Sequence, residues 1–129
     1  MATGFPAATG DVLSAAMYNG LTSFTVGTAQ TADYTPVLNE QYQALIVMNK
    51  ATAVNFTIPT NASVAYPVGT VLTVLNIGVG ACTIKAVTSG TTTVLSAGAT
   101  AAQPSLAQYK SAACIKTATD TWYVVGAIA

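Results

Sequence analysis

Histidine and arginine are absent from this 129-residue chain, and charge of either sign is scarce, with four lysines against four acids. Without histidine the commonest general base and the commonest zinc ligand are both missing. The acids are Asp11, Asp33, Glu40 and Asp120, and none forms a close pair in sequence. A carboxylate pair would therefore have to be assembled by folding. Taken singly, these residues serve as helix caps and turn formers. The lysines, Lys50, Lys85, Lys110 and Lys116, are scattered. A nucleic-acid surface clusters its cations to neutralise phosphates, so no nucleic-acid partner is expected.

Long uninterrupted apolar runs are lacking too. The charge-free stretch Ala51 to Ile84 is broken by Asn55, Pro59, Asn61, Pro67 and Asn76. A spanning helix needs about 20 predominantly apolar residues, so no membrane span is expected. No Lys or Arg stands ahead of an apolar core at the N-terminus, which argues against a signal peptide. Gly78-Val79-Gly80 is followed by neither a helix start nor a lysine, unlike a phosphate-binding loop. No residue is assigned to catalysis, to a cofactor or to a metal, and the chain is expected not to be an enzyme.

There are two cysteines, Cys82 and Cys114, each set among small apolar residues of an expected strand. Buried free thiols are the simplest reading. A disulfide stays open if the two strands are neighbours. Asn55-Phe56-Thr57 and Asn61-Ala62-Ser63 match the glycosylation sequon. Without a signal peptide both are treated as chance matches.

What the chain does have is apolar residues, 52% of the total, with only 6% charged. An ordinary soluble domain carries about 25% charged residues. So little charge defends a surface poorly against association, and part of it is expected to be covered by other protein. The alternative is a monomer faced with Thr, Ser, Asn and Gln.

The length suits one domain, divided here into an N-terminal arm, residues 1–33, and a β domain, residues 34–129. The arm opens with small apolar residues around Phe5. Thr9 or Asp11 can cap a short helix over about residues 10–19, with Val12, Leu13, Ala16 and Met17 at helical spacing and Asn19-Gly20 as its stop. So short a helix needs a surface to pack on. Phe5, Val12, Leu13, Met17 and Leu21 are therefore the candidate partner contacts. Ser23 to Gly27 is a possible edge strand.

Beyond Tyr34 the pattern is one of strands. Tyr42 to Met48 is apolar on both faces. Val54, Phe56 and Ile58 alternate with Asn55 and Thr57, as in a half-buried strand, and Pro59 ends it. Val64 to Ala86 reads as the organising stretch. A Pro67-Val68-Gly69-Thr70 turn feeds a strand over Val71 to Ile77. Gly78-Val79-Gly80 then reads as a hairpin turn, its glycines free to take positive φ. Cys82, Ile84 and Ala86 face inward on the return. Thr91 to Leu95, Gln108 to Lys116 and Trp122 to Gly126 are further strands, and Ser96 to Ala107 is a surface loop. The expected fold is all-β: a compact antiparallel sandwich or jelly roll of seven or eight short strands. Tyr34, Tyr42, Tyr66, Tyr109, Tyr123 and Trp122 pack in the core or at an interface, or else line a sugar-binding face.

Three places carry a resemblance over residues 34–126. The first is Phe56-Thr57-Ile58-Pro59 with Ser63-Val64-Ala65-Tyr66-Pro67-Val68-Gly69-Thr70. The second is Gly78-Val79-Gly80 with Thr83-Ile84. The third is Gln108-Tyr109 through Ala113, then Thr119-Asp120-Thr121-Trp122 and Gly126. Together they resemble the β-rich domains of tail-fibre and head-decoration proteins of tailed bacteriophages. Gly10 to Ala16 with Asn19 also looks like the short helix that opens some virion proteins. The resemblance implies a homotrimeric virion component, assembled in the host bacterial cytoplasm and released by lysis. It transfers no catalytic residue. A short arm with one compact domain suits a capsid decoration (cement) protein bound to the major capsid protein. A tail-fibre or head-fibre adhesin for host glycans is the alternative.

Overall fold

The computed structural model describes residues 24–42, 44–97 and 101–129. The expected helix at about 10–19 and the candidate contacts Phe5, Val12, Leu13, Met17 and Leu21 lie outside them. The described chain is all-β, with nine strands: β1 Thr25–Val26, β2 Ala44–Met48, β3 Val54–Ile58, β4 Val71–Asn76, β5 Cys82–Ala86, β6 Thr93–Ser96, β7 Ser105–Leu106, β8 Lys110–Ala118 and β9 Thr121–Gly126. A 3-10 turn, Leu38–Gln41, precedes β2. Six strands form one sheet in the order β1-β2-β4-β8-β9-β6, and three form a second in the order β3-β5-β7.

The central hairpin expected at Val64 to Ala86 is not formed. Strands β4 and β5 lie in different sheets. β4 instead lies parallel to β2, and β5 parallel to β3. Leu45 faces Thr73 and Val54 faces Cys82, each partner 28 positions on. The chain thus runs β2, corner, β3, then crosses back and repeats the path one strand over as β4, corner, β5. β1, Gln30 and Tyr34 make a sparser first coil, pairing in parallel with β2 and β3. The sheets are therefore mixed, and an antiparallel jelly roll is not what the chain builds.

The corners explain the glycines. Residues 77–81 lie directly on residues 49–53, tied by Ile77 N–H to Met48 O at 2.9 Å, Gly80 N–H to Lys50 O at 2.9 Å and Val54 N–H to Ala81 O at 3.0 Å. A Cβ at Gly78 would run into the Lys50 backbone, and one at Gly80 into the Thr52 backbone. Neither glycine is among the described residues with positive φ. Close approach of two chains, not a left-handed turn, requires them. Gly69 is different. Its φ of 96° in the Pro67–Thr70 turn, closed by Thr70 N–H to Pro67 O at 3.1 Å, is that of a type II turn.

Antiparallel strands close the sandwich. β8 pairs with β4 and with β9, while β6 adds to the far edge, parallel to β9. β7 pairs with β5 inside the stretch expected to be loop. Val54, Phe56 and Ile58, and opposite them Leu72, Val74, Cys114, Trp122 and Val124, fill the space between the sheets. The edge-on Tyr66 ring meets Trp122 with centroids 5.8 Å apart, a favoured aromatic geometry.

One buried polar group holds the second corner. Asn76, at the end of β4, is fully buried. Its Nδ2 donates to Gly80 O and to Leu106 O, both at 2.9 Å, and its Oδ1 accepts Gly78 N–H at 3.0 Å. The amide satisfies groups that the turn between sheets would otherwise leave unpaired.

Candidate functional site

Alternation in each strand decides which side chains leave the core. In the six-stranded sheet, Ile46, Met48, Leu72, Val74, Ala112, Cys114, Val94, Trp122 and Val124 point inward. Their neighbours therefore point out. The ladders align those neighbours in rows: Leu45, Thr73, Ala113 and Val125 in one, Val71, Ile115, Tyr123 and Leu95 in the next, and Val47, Leu75 and Ser111 in a third. None of them is charged. Tyr123, Val125, Val71 and Leu95 stand exposed on this face. A shallow groove of about 470 Å³ runs along β6 and β9, lined by Leu95, Tyr123, Val125 and Ile128.

The outer face of the smaller sheet is the reverse. It carries Asn55, Thr57, Thr83 and Lys85, each half-buried. Asp33 lies over it, its carboxylate accepting Asn55 N–H at 2.9 Å and Asn55 Nδ2–H at 3.0 Å. Those two hydrogen bonds hold the Asp33 carboxyl below its usual range, with Lys50 and Lys85 adding to the effect. The Thr35 and Thr57 hydroxyls meet at 2.6 Å. One face of the sandwich thus carries charge, and the other, mostly apolar with Thr73, Ser111 and Tyr123 among its residues, carries none.

The remaining described acids are engaged in the fold. Glu40 Oε1 accepts the Tyr34 hydroxyl at 2.8 Å, and its Oε2 accepts Val37 N–H at 2.7 Å. Burial, then the Glu40 hydrogen bond, push the Tyr34 phenol up to about 12. Asp120, expected as a turn residue, does sit in the β8–β9 turn. It also accepts Asn61 N–H at 2.8 Å and the Thr92 hydroxyl at 3.2 Å, which ties three segments together. Among the described residues, no group of three His, Cys, Asp or Glu side chains is placed to hold a metal ion.

The aromatics divide. Trp122 and Tyr66 are buried, while Tyr42, Tyr109 and Tyr123 are exposed. Tyr109 holds a φ of 65°, uncommon for a non-glycine residue, and its N–H reaches Asn76 O at 2.6 Å. Cys82 and Cys114 are free and buried, as expected. Burial pushes their thiols up to about 11 and about 12.

Sequence reasoning placed the association surface on the N-terminal arm and did not single out the six-stranded face. The signal was present in β4, β8 and β9, whose outward positions hold Val, Ile, Tyr, Ala and Thr and no charge. Compared with protein-family models, curated proteins and solved structures, the chain finds no match.

Proposed function

We propose that the chain is a non-enzymatic structural subunit of a phage virion: a decoration (cement) protein that binds the outside of the head as a trimer and stabilises it. The observation supporting an assembly role is the uncharged outer face of the six-stranded sheet. Three rows of residues, each crossing three or four strands about 4.8 Å apart, make a face of roughly 400 Å². At about 25 cal/mol per Å², covering it contributes roughly 10 kcal/mol. Association itself costs about 4–15 kcal/mol, so one such contact is marginal. A closed ring repeats the contact, and several arms gripping one shell add multivalency. The phage assignment rests on the sequence resemblance.

The test is the copy number of the chain per virion, by quantitative mass spectrometry against the major capsid protein. A ratio near one to one is expected. A few copies per particle would move the chain to the neck or tail and refute decoration. Deleting Met1 to Leu21 is expected to abolish shell binding while the oligomer survives.

An adhesin for host glycans is the second reading, favoured by the exposed Tyr123 in the groove along β6 and β9. A glycan array with no signal at high protein concentration would refute it.

A further inference from the structure

Lys116 is a charged side chain buried between the sheets. It points inward from β8 and is 2% exposed. Its Nζ lies 2.6 Å from Asn61 Oδ1 and 2.7 Å from Tyr66 O. The Trp122 ring centroid is 5.9 Å away. Trp122 and Tyr66 are themselves buried, so the cluster is walled by aromatic surface. Asp120 holds the Asn61 backbone N–H at 2.8 Å, so an acid stands beside the same asparagine.

Each of these has an ordinary structural use, but together they form the parts of an acyl transfer. An amine is a nucleophile once it loses its proton. Burial favours the neutral amine and lowers the Lys116 pKa, while Asp120 opposes the shift. The electrophile is the Asn61 carboxamide. Its Oδ1 accepts a hydrogen bond from Nζ at 2.6 Å, which sets the amine beside the carboxamide; attack then needs the neutral amine to turn onto Cγ at about 3–3.5 Å. Burial protects both reactant and product from hydrolysis.

We propose that Lys116 and Asn61 join in an intramolecular isopeptide bond, with Asp120 as the residue that positions Asn61 through its backbone N–H. The Nζ–Cγ bond forms and the Cγ–Nδ2 bond breaks. The two protons that the Lys116 ammonium gives up end on the departing Nδ2, and one ammonium ion leaves. No oxidant, reductant or cofactor takes part. The link spans the loop after β3 and the end of β8, joining distant parts of the chain. It turns over once and is independent of the decoration reading.

The test is the intact mass of the purified full chain, with folding confirmed by buried Trp122 fluorescence. The expected mass is lower than the sequence mass by one ammonia, about 17 Da, the leaving group of this acyl transfer. Proteolysis should give one branched peptide joining the segments around Asn61 and Lys116. Lys116→Arg and Asn61→Ala are expected at their full sequence masses, folded or not. Folded Asp120→Ala, which lacks the acceptor for Asn61 N–H, is expected to stay at full mass, while Asp120→Asn keeps an acceptor and is expected to restore the loss. A succinimide at Asn61 also loses ammonia, but that loss would persist in Lys116→Arg and would yield no branched peptide. Folded wild-type protein at full sequence mass, after allowing for Met1 removal, overturns the proposal, as does a loss that survives Lys116→Arg.

Discussion

Replacing Asn76 tests whether one amide holds the second corner of the stacked coils. Asn76→Ala removes both Nδ2 hydrogen bonds and the one accepted by Oδ1. Leu106 and Gly78 are buried, so Leu106 O and Gly78 N–H lose partners that water cannot easily replace. Each orphaned buried group costs about 1–3 kcal/mol, and the half-buried Gly80 O about 1, giving a loss of about 3–7 kcal/mol. That is a large share of the roughly 5–15 kcal/mol that holds a domain folded. Asn76→Asp separates hydrogen bonding from packing. It preserves the shape and the acceptor for Gly78 N–H, but sets a carboxylate against two carbonyls. Burial would raise that carboxyl's folded pKa above the unfolded value of about 3.9. The Asp variant should therefore be least stable at neutral pH and recover as pH falls through its folded pKa. Urea unfolding followed by Trp122 fluorescence reads both variants, because the only tryptophan is buried. An Asn76→Ala loss below about 1 kcal/mol would refute the reasoning, since it would mean the corner groups find other partners. An Asp variant as stable as wild type at neutral pH would refute it independently.

Gly80→Ala should lose about 1–3 kcal/mol in the same urea assay, because its Cβ must displace the Thr52 backbone of the coil beneath. Gly69→Ala meets no neighbouring atom, so its cost should come from its positive φ alone, about 1 kcal/mol. Tyr123→Lys or Val125→Glu should shift the native mass, read by light scattering, towards monomer with little change in melting temperature; an unchanged oligomer would exclude the six-stranded face as the contact. A thiol reagent at pH 8 should leave Cys82 and Cys114 untouched in the native protein and label both in urea, since burial pushes both thiols well above that pH. The Tyr34 phenol, raised from about 10 to about 12 in the fold, contributes stability that is complete below pH 10 and lost as pH rises towards 12. Tyr34→Phe should therefore show a shallower alkaline decline than wild type.

Strand existence was legible because it is local. Val54, Phe56 and Ile58 alternate with polar residues, and a half-buried strand is the only regular element that suits a period of two. Pro59, the Gly69 turn and Asp120 before Trp122 mark ends that the structure keeps. The candidate site was less legible. An uncharged outer face becomes one surface only when Leu45, Thr73, Ala113 and Val125 are aligned by pairings up to 40 positions apart.

By itself the sequence determined that the described residues are all-β, that the cysteines sit among apolar residues, and that charge is too sparse to cover a whole surface. These are consequences of composition and short-range alternation. Only the tertiary structure decided the pairing. Gly78-Val79-Gly80 looks like a hairpin turn because glycine suits positive φ, yet here it turns a corner between sheets, where only a missing Cβ lets two coils touch. Alternation puts Lys116 on the same strand face as Ala112 and Cys114, but only the fold gathers Asn61, Tyr66, Trp122 and Asp120 round it from other segments. Local preference sets what each residue tolerates, and the distant chain that arrives beside it sets which tolerance is used.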